Sequence, residues 1–213
     1  MVSPLLNGEV PALNRYFLHG LGQTPASWDK TVKALGAPAD CPDLRGLLNG
    51  KIALYSELYK ALCGYLPADG EFDLCGLSLG GILALNYAAD FPSRVHSLVL
   101  IGAQYVTPKT LLKIQNAVFR FMPQSVFNGT GFNKPDFLML ANSMTELDFT
   151  DRLGGISCPT LVICGEKDRA NMKAAENLAR LIPNAELKTV PKSGHEVNID
   201  APEALAQLIK EFI

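Results

Sequence analysis

Two patterns of hydrophobic and polar positions alternate along the chain. Short strand-like runs fall at 16–18, 72–77, 95–101, 160–164 and 186–190. Between and after them, at 27–35, 52–66, 79–90, 171–181 and 202–212, apolar residues return every three or four positions, as on one face of a helix. In the second of these stretches Ile52, Leu54, Tyr55, Leu58, Tyr59, Leu62 and Leu66 recur at a spacing close to 3.6 and stop before Pro67. The run Leu98-Val99-Leu100-Ile101 does not alternate, which is the pattern of a parallel strand covered on both faces. Strands and helices taking turns at these lengths predict an α/β fold, a mainly parallel sheet with helices on both faces.

One stretch breaks this rhythm. Between 107 and 147 no convincing strand occurs, and two helical segments, 111–122 and 135–146, flank Asn128-Gly129-Thr130-Gly131. Connections this long are uncommon unless they have a task. Residues 107–150 are therefore expected to form a small helical cap inserted into a core built from 1–106 and 151–213.

Composition narrows the classes of function. A chain of 213 residues suits one domain with one sizeable core. Nineteen basic residues against 21 acidic leave a net charge of −2, without the basic footprint of a nucleic-acid binder or a field for steering highly charged substrates. The opening Met1-Val2-Ser3-Pro4-Leu5-Leu6-Asn7-Gly8 lacks the basic and apolar parts of a signal peptide, and no apolar run nears the ~18 residues of a membrane span. A cytoplasmic protein is expected. The five cysteines, Cys41, Cys63, Cys75, Cys158 and Cys164, form no C-x-x-C pair and have no histidine at metal-ligand spacing. They read as free core thiols, and neither a metal nor a cofactor is expected.

Candidate chemistry begins at Gly76-Leu77-Ser78-Leu79-Gly80, a G-x-S-x-G sequence between a predicted strand and a predicted helix. A serine pushed out on so sharp a turn brings neighbouring backbone together, so small residues are needed two positions before and two after it. The same turn leaves the Leu79 N–H unpaired at a helix start, aimed at whatever Ser78 attacks. A glycine-rich turn with a serine helix cap has the same composition and is the alternative.

Of three histidines, His96 reads as a solvated strand end and His19, before Gly20, as a residue shaping the first turn and bordering the substrate. His195, in Lys192-Ser193-Gly194-His195-Glu196, follows the last strand, at the carboxyl edge of the sheet where ligands collect in open α/β folds. Asp168, closing Gly165-Glu166-Lys167-Asp168, reaches the same edge and would fix the His195 tautomer and stabilise its imidazolium. Glu166 is the competing acid. No carboxylate follows the preceding strand, in Gly102-Ala103-Gln104-Tyr105. Leu21, between Gly20 and Gly22, is the candidate second donor to an oxyanion, beside Leu79. In the cap segment Phe119, Phe121, Met122 and Phe137 are candidates for an apolar pocket wall, part of a concentration of phenylalanines and methionines that favours an apolar acyl or alcohol group.

With these residues in order, the chain from Tyr16 to Ile213 resembles the α/β-hydrolase superfamily, in particular its small lidded serine esterases. The likeness rests on Phe17-Leu18-His19-Gly20-Leu21-Gly22 as an oxyanion loop, Pro42-Asp43-Leu44-Arg45-Gly46 as the loop after the next strand, Gly76-Leu77-Ser78-Leu79-Gly80-Gly81 as a nucleophile elbow, and Cys158-Pro159-Thr160 through Asp168 with Ser193-Gly194-His195 as acid and base segments. The resemblance implies the α/β-hydrolase fold and cleavage of a small-molecule ester through an acyl-enzyme of Ser78, His195 and Asp168, without metal or cofactor. Serine at position 78 argues against the aspartate-nucleophile dehalogenases and epoxide hydrolases of that superfamily. Little sequence precedes Tyr16, where the family has further strands, and 37–41 is poor in strand formers where the family has an apolar one. Thioesters and lactones suit the same machinery. So do the superfamily's C–C hydrolases, lyases and menaquinone-pathway synthase, although the synthase usually carries an arginine soon after its nucleophile and 82–87 has none. A slow-turnover ligand receptor is a third class that keeps such a pocket.

Overall fold

The computed structural model describes residues 13–107, 123–127 and 131–213. Five strands, β1 (Arg15–Leu18), β2 (Phe72–Leu77), β3 (Val95–Ile101), β4 (Thr160–Gly165) and β5 (Ala185–Val190), form one sheet in that spatial order. Every pairing is parallel, with Phe17 opposite Cys75, Gly76 opposite Leu100 and Leu100 opposite Val162. Among the described residues the connecting α-helices are α1 (Asp29–Leu35), α2 (Leu44–Leu47), α3 (Tyr55–Tyr65), α4 (Leu79–Asp90), α5 (Lys134–Ser143), α6 (Arg169–Leu181), α7 (Val197–Asp200) and α8 (Pro202–Phe212).

The period of two along each strand sorts side chains into two cores. Phe17, Cys75, Leu77, Val99, Ile101, Leu161 and Ile163 cluster with Trp28, Leu35, Leu205 and Ile209, so α1 and α8 cover that face. Leu18, Leu74, Leu98, Leu100, Val162 and Cys164 fill the other with Leu58 and Leu62 of α3, Leu83 and Leu85 of α4, and Ala175 and Leu178 of α6. Helix α4 is buried from Leu79 to Ala88 and packs over β1, β2 and β3, which places its N-terminus at the carboxyl edge of the sheet centre.

Three elements differ from the sequence pattern. The segment 37–41 makes a single parallel bridge, Asp40 to Tyr16, with Phe17 N–H donating to Asp40 O at 2.8 Å and Asp40 N–H to Arg15 O at 2.7 Å. Pro38 has no N–H to give a ladder, and Ala37 and Ala39 offer little surface to bury, so pairing does not extend. Helix α3 opens at Tyr55 rather than at 52, leaving Ile52 61% exposed before it. The loop that begins at 42 runs into α2, capped by the Asp43 carboxylate accepting the Arg45 N–H at 3.0 Å.

In the interrupting segment, the predicted helix 111–122 lies outside the described residues. The second predicted helix is present as α5, capped by Asn133, whose side chain accepts the Asp136 N–H at 2.9 Å. An antiparallel bridge between Val106 and Asp148 draws the segment's two ends together, and Ser143 Oγ accepts the Tyr55 N–H at 2.8 Å. Arg45 meets Asp136 at 3.0 Å. Phe127, Phe132, Phe137, Leu140 and Met144 are buried in the core that also holds α3 and α4.

All five cysteines are free thiols, Cys75, Cys158 and Cys164 buried and Cys41 and Cys63 only partly so. Among the described residues no helix is long and apolar enough to cross a membrane, and no group of three His, Cys, Asp or Glu is placed to hold a metal.

Candidate active site

Ser78 stands between the end of β2 and the start of α4 with φ 80° and ψ −105°, a backbone state that non-glycine residues rarely adopt. Such strain costs about 1–3 kcal/mol and persists only where the surroundings over-determine it. Here they do. The Ser78 N–H donates to Ile101 O at 2.9 Å, tying the turn to β3. A Cβ on Gly76 would run into the Gly80 carbonyl, one on Gly80 into the Leu18 carbonyl, and one on Gly81 would stand 2.8 Å from Ala103 Cβ. The elbow fits only because these positions carry no side chain.

His195 Nε2 lies 2.9 Å from Ser78 Oγ, and His195 Nδ1 lies 2.7 Å from Asp168 Oδ2. With the Nδ1–H donated to the carboxylate, Nε2 offers its lone pair to the Ser78 hydroxyl. The three residues expected from the sequence thus meet, from positions 117 and 27 residues apart in the chain. Glu166 does not compete. Its carboxylate accepts the Lys192 N–H at 2.8 Å and is held in the loop that leads to His195.

Asp168 is 7% exposed. Burial alone pushes its carboxyl up, but the hydrogen bond and charge of His195 and the bonds from Asn171 outweigh it and hold the group below the usual carboxylate range. Asn171 was not marked by the sequence. Its Nδ2 donates to Asp168 Oδ1 at 2.8 Å and Oδ2 at 2.9 Å, and its Oδ1 accepts from Gln104 Nε2 at 2.7 Å. Its approach to His195 Nδ1, 3.1 Å, reflects two donors converging on one carboxylate.

A carboxyl held low when folded stabilises the fold fully above its unfolded value, about pH 4, and loses that contribution as pH falls through the folded value. Asp168→Asn should therefore flatten the acid side of the stability profile. Tm measured by calorimetry from pH 6 to pH 3 is expected to fall less steeply in the variant; parallel curves would contradict it.

The Gly20–Gln23 turn carries Leu21. Gln23 N–H donates to Gly20 O at 3.1 Å, and Gly22 has φ +92°. Among the described residues the Leu21 N–H has no acceptor, and the Leu79 N–H, at the first position of α4, has none a turn before it. Both belong to segments flanking Ser78. His19 departs from its expected place at the substrate. Its ring is 0% exposed, donates from Nδ1 to Gly20 O at 2.9 Å and accepts the Leu44 N–H at Nε2 at 3.2 Å. Burial, against the Gly20 bond and Asp43, lowers its pKa, so the neutral ring is a strut of the loop rather than a ligand contact. Gly20 is close-packed, a Cβ there standing 2.8 Å from Leu77 Cδ2.

Of the pocket candidates, Phe137 is buried, T-stacked on Phe127 at 5.2 Å, with Cε2 3.7 Å from where a Gly22 Cβ would be. Phe119, Phe121 and Met122 lie outside the described residues. His96, as expected, is far from this chemistry: it pairs with Asp73 at 2.9 Å at the start of β2 and is half exposed. Gly102, φ +54°, was also unmarked; a Cβ there would come within 2.9 Å of the His195 ring.

Residues 16–208 match the model of the alpha/beta hydrolase family, and the chain belongs to that family. Its fold is the α/β-hydrolase fold. Among curated relatives, the monoacylglycerol lipase ABHD6 of Mus musculus is 27% identical over 183 residues, covering 67% of this chain and 54% of the lipase. The chain thus spans about half the length of that relative. The 2-hydroxy-6-oxononadienedioate/2-hydroxy-6-oxononatrienedioate hydrolase 1 of Dechloromonas aromatica is 28% identical over 248 residues, covering 92% of this chain and 85% of that protein. Among solved structures, a thermophilic esterase from Thermogutta terrifontis superposes with a TM-score of 0.74 at 24% identity, over 93% of this chain and 88% of the esterase, a likeness of fold.

Proposed function

We propose that this chain is a serine hydrolase that cleaves a carboxylic ester, thioester or lactone of a small, mainly apolar substrate through an acyl-enzyme on Ser78. The observation that carries the reading is the unbroken line from Asp168 Oδ2 to His195 Nδ1 at 2.7 Å and from His195 Nε2 to Ser78 Oγ at 2.9 Å, ending at the N-terminus of a buried helix.

In acylation Ser78 Oγ bonds to the substrate carbonyl carbon as its proton passes to His195 Nε2. The carbonyl electron pair moves onto oxygen, facing the N–H groups of Leu21 and Leu79 and the positive end of α4. Collapse of this adduct expels the alcohol, which takes the proton from His195. Water then repeats the sequence and frees the acid. Asp168 keeps its charge throughout and stabilises the imidazolium. Residues 107–150 act as the cap, with Phe137, which stands over Gly22 and stacks on Phe127, favouring an apolar group beside the oxyanion loop.

The lipase and esterase named above fit this reading, and the Dechloromonas hydrolase supports C–C cleavage as a second one. The test is a panel of p-nitrophenyl esters of two to twelve carbons, an acyl thioester, a lactone and a 2-hydroxy-6-oxo-dienoate, with fluorophosphonate labelling mapped by mass spectrometry. We expect label on Ser78 and turnover of the oxygen esters. Turnover of the dienoate alone would move the reading to C–C hydrolysis. One round of acylation without release would move it to a slow receptor, and absence of both label and turnover would end it.

A further inference from the structure

Leu21 and His195 must face the same reacting carbon, yet they sit on loops 174 positions apart, and one buried side chain spans them. Gln23 is 5% exposed. Its Oε1 accepts the Gly20 N–H at 3.2 Å and Asn198 Nδ2 at 3.2 Å, while its Nε2 donates to Glu196 Oε1 at 3.0 Å and Asn198 Oδ1 at 3.1 Å. Two lone pairs and two N–H groups are all the capacity an amide has, and all are used. Asn198, 0% exposed, also donates to Ser27 O at 3.2 Å. Glu196 and Asn198 are the first and third residues after His195.

We propose that Gln23 is a positioning residue of acyl transfer, setting the distance between the Leu21 N–H and His195 by bonding the turn that carries one to the segment that carries the other. The role rests on the serine acyl-transfer reading above. A side chain that only shaped the turn would need the Gly20 bond alone. Here three of the four bonds go to the segment that follows the base, while His19 ties the turn to Leu44. The geometry matters because an oxyanion donor acts within about 2.7–3.1 Å, and losing one entirely costs about 10²–10³ in kcat. Slack in the turn forfeits part of that stabilisation, and it does so in the transition state rather than in substrate binding.

The experiment compares wild type, Gln23→Leu, Gln23→Glu and Gln23→Glu with Glu196→Gln. For each, kcat per fluorophosphonate-titrated site, KM, the affinity of an alkyl boronic acid and Tm are measured. Gln23→Leu is expected to lower kcat about 10–100-fold with KM within about threefold, and to weaken the boronate, a tetrahedral mimic, by a similar factor. Gln23→Glu keeps the acceptor for Gly20 but sets a carboxylate against that of Glu196, so it should lose activity; the paired variant restores a donor at 196 and should recover most of it. Unchanged kcat per titrated site in the single variants, or a fall in Tm without a change in kcat or boronate affinity, would overturn the positioning role. Should Gln23→Leu not fold, the Gln23→Glu pair decides: no loss, or loss without recovery, overturns it. A wild type that is neither labelled nor active would overturn the acyl-transfer reading itself, and the positioning role with it.

Discussion

Ser78→Ala is expected to lower kcat for ester hydrolysis by about 10⁶-fold while KM stays within about threefold. The size follows from what the hydroxyl does and from what survives its loss. In the proposed reaction Oγ is the atom that bonds the carbonyl carbon and, among the described residues, the partner of His195 Nε2, so without it neither base nor acid chemistry has a starting point. The Leu21 and Leu79 N–H groups, the α4 N-terminus and the apolar surroundings remain, so substrate still binds and a residual acceleration over water persists. Alanine tolerates φ 80° about as poorly as serine, and the bonds that hold the turn are from backbone, so Tm should move by no more than a few degrees. Because the three residues work as one unit, removing His195 as well should cost almost nothing further. Kinetics of the single and double variants on one p-nitrophenyl ester, with a circular dichroism melt of each, check this. Equal activity in Ser78→Ala and wild type would remove Ser78 from the chemistry.

The parts of this site that were legible in the sequence are those whose function is enforced locally. Gly76, Ser78 and Gly80 share one turn, and the need for small residues there is written in five consecutive positions. Strands β2 and β3 and helix α4 were readable residue for residue, because their mainly apolar stretches are bounded by the Ser78 turn, Gly102 and Pro92. The short edge was only half readable: 37–41 looks weak as a strand, but that pairing would shrink to Asp40 depends on what β1 offers it. Gln23, Asn171, Gly102 and Gly165 were not readable at all. Each is an ordinary polar or small residue: the roles of Gln23, Gly102 and Gly165 arise from contacts or backbone approaches distant in the chain, up to 175 residues away, and that of Asn171 from bonds to Asp168 three positions back that no local pattern marks. His19 illustrates the reverse: beside the oxyanion loop in sequence, its ring turns inward, because Leu44 and Gly20 satisfy both nitrogens.

Gly165→Ala should be among the most damaging changes outside the reacting residues. Gly165 ends β4, three positions before Asp168, where the strand passes under the loop that brings His195. A Cβ there would stand 2.6 Å from the Ser193 carbonyl oxygen and still nearer the Gly194 carbonyl. Both obstacles are backbone, so no rotamer change relieves them. The loop is also pinned from two other sides, by the Lys167 N–H to Ser193 O at 2.9 Å and the Gly194 N–H to Asp200 Oδ2 at 2.6 Å. A methyl group must therefore push His195 away from Asp168 or break those bonds. Overpacking of a close-packed site costs about 3 kcal/mol at the upper end of its usual range, roughly 6–12 °C in Tm for a chain of this size. A displacement of His195 by about 1 Å adds a loss of about 100-fold in kcat. Gly154→Ala is the control, since a Cβ at Gly154 meets nothing within 4 Å. It should leave Tm and kcat near wild type. If Gly165→Ala matched that control in both, the close passage of β4 beneath the His195 loop would not be what holds acid and base in register.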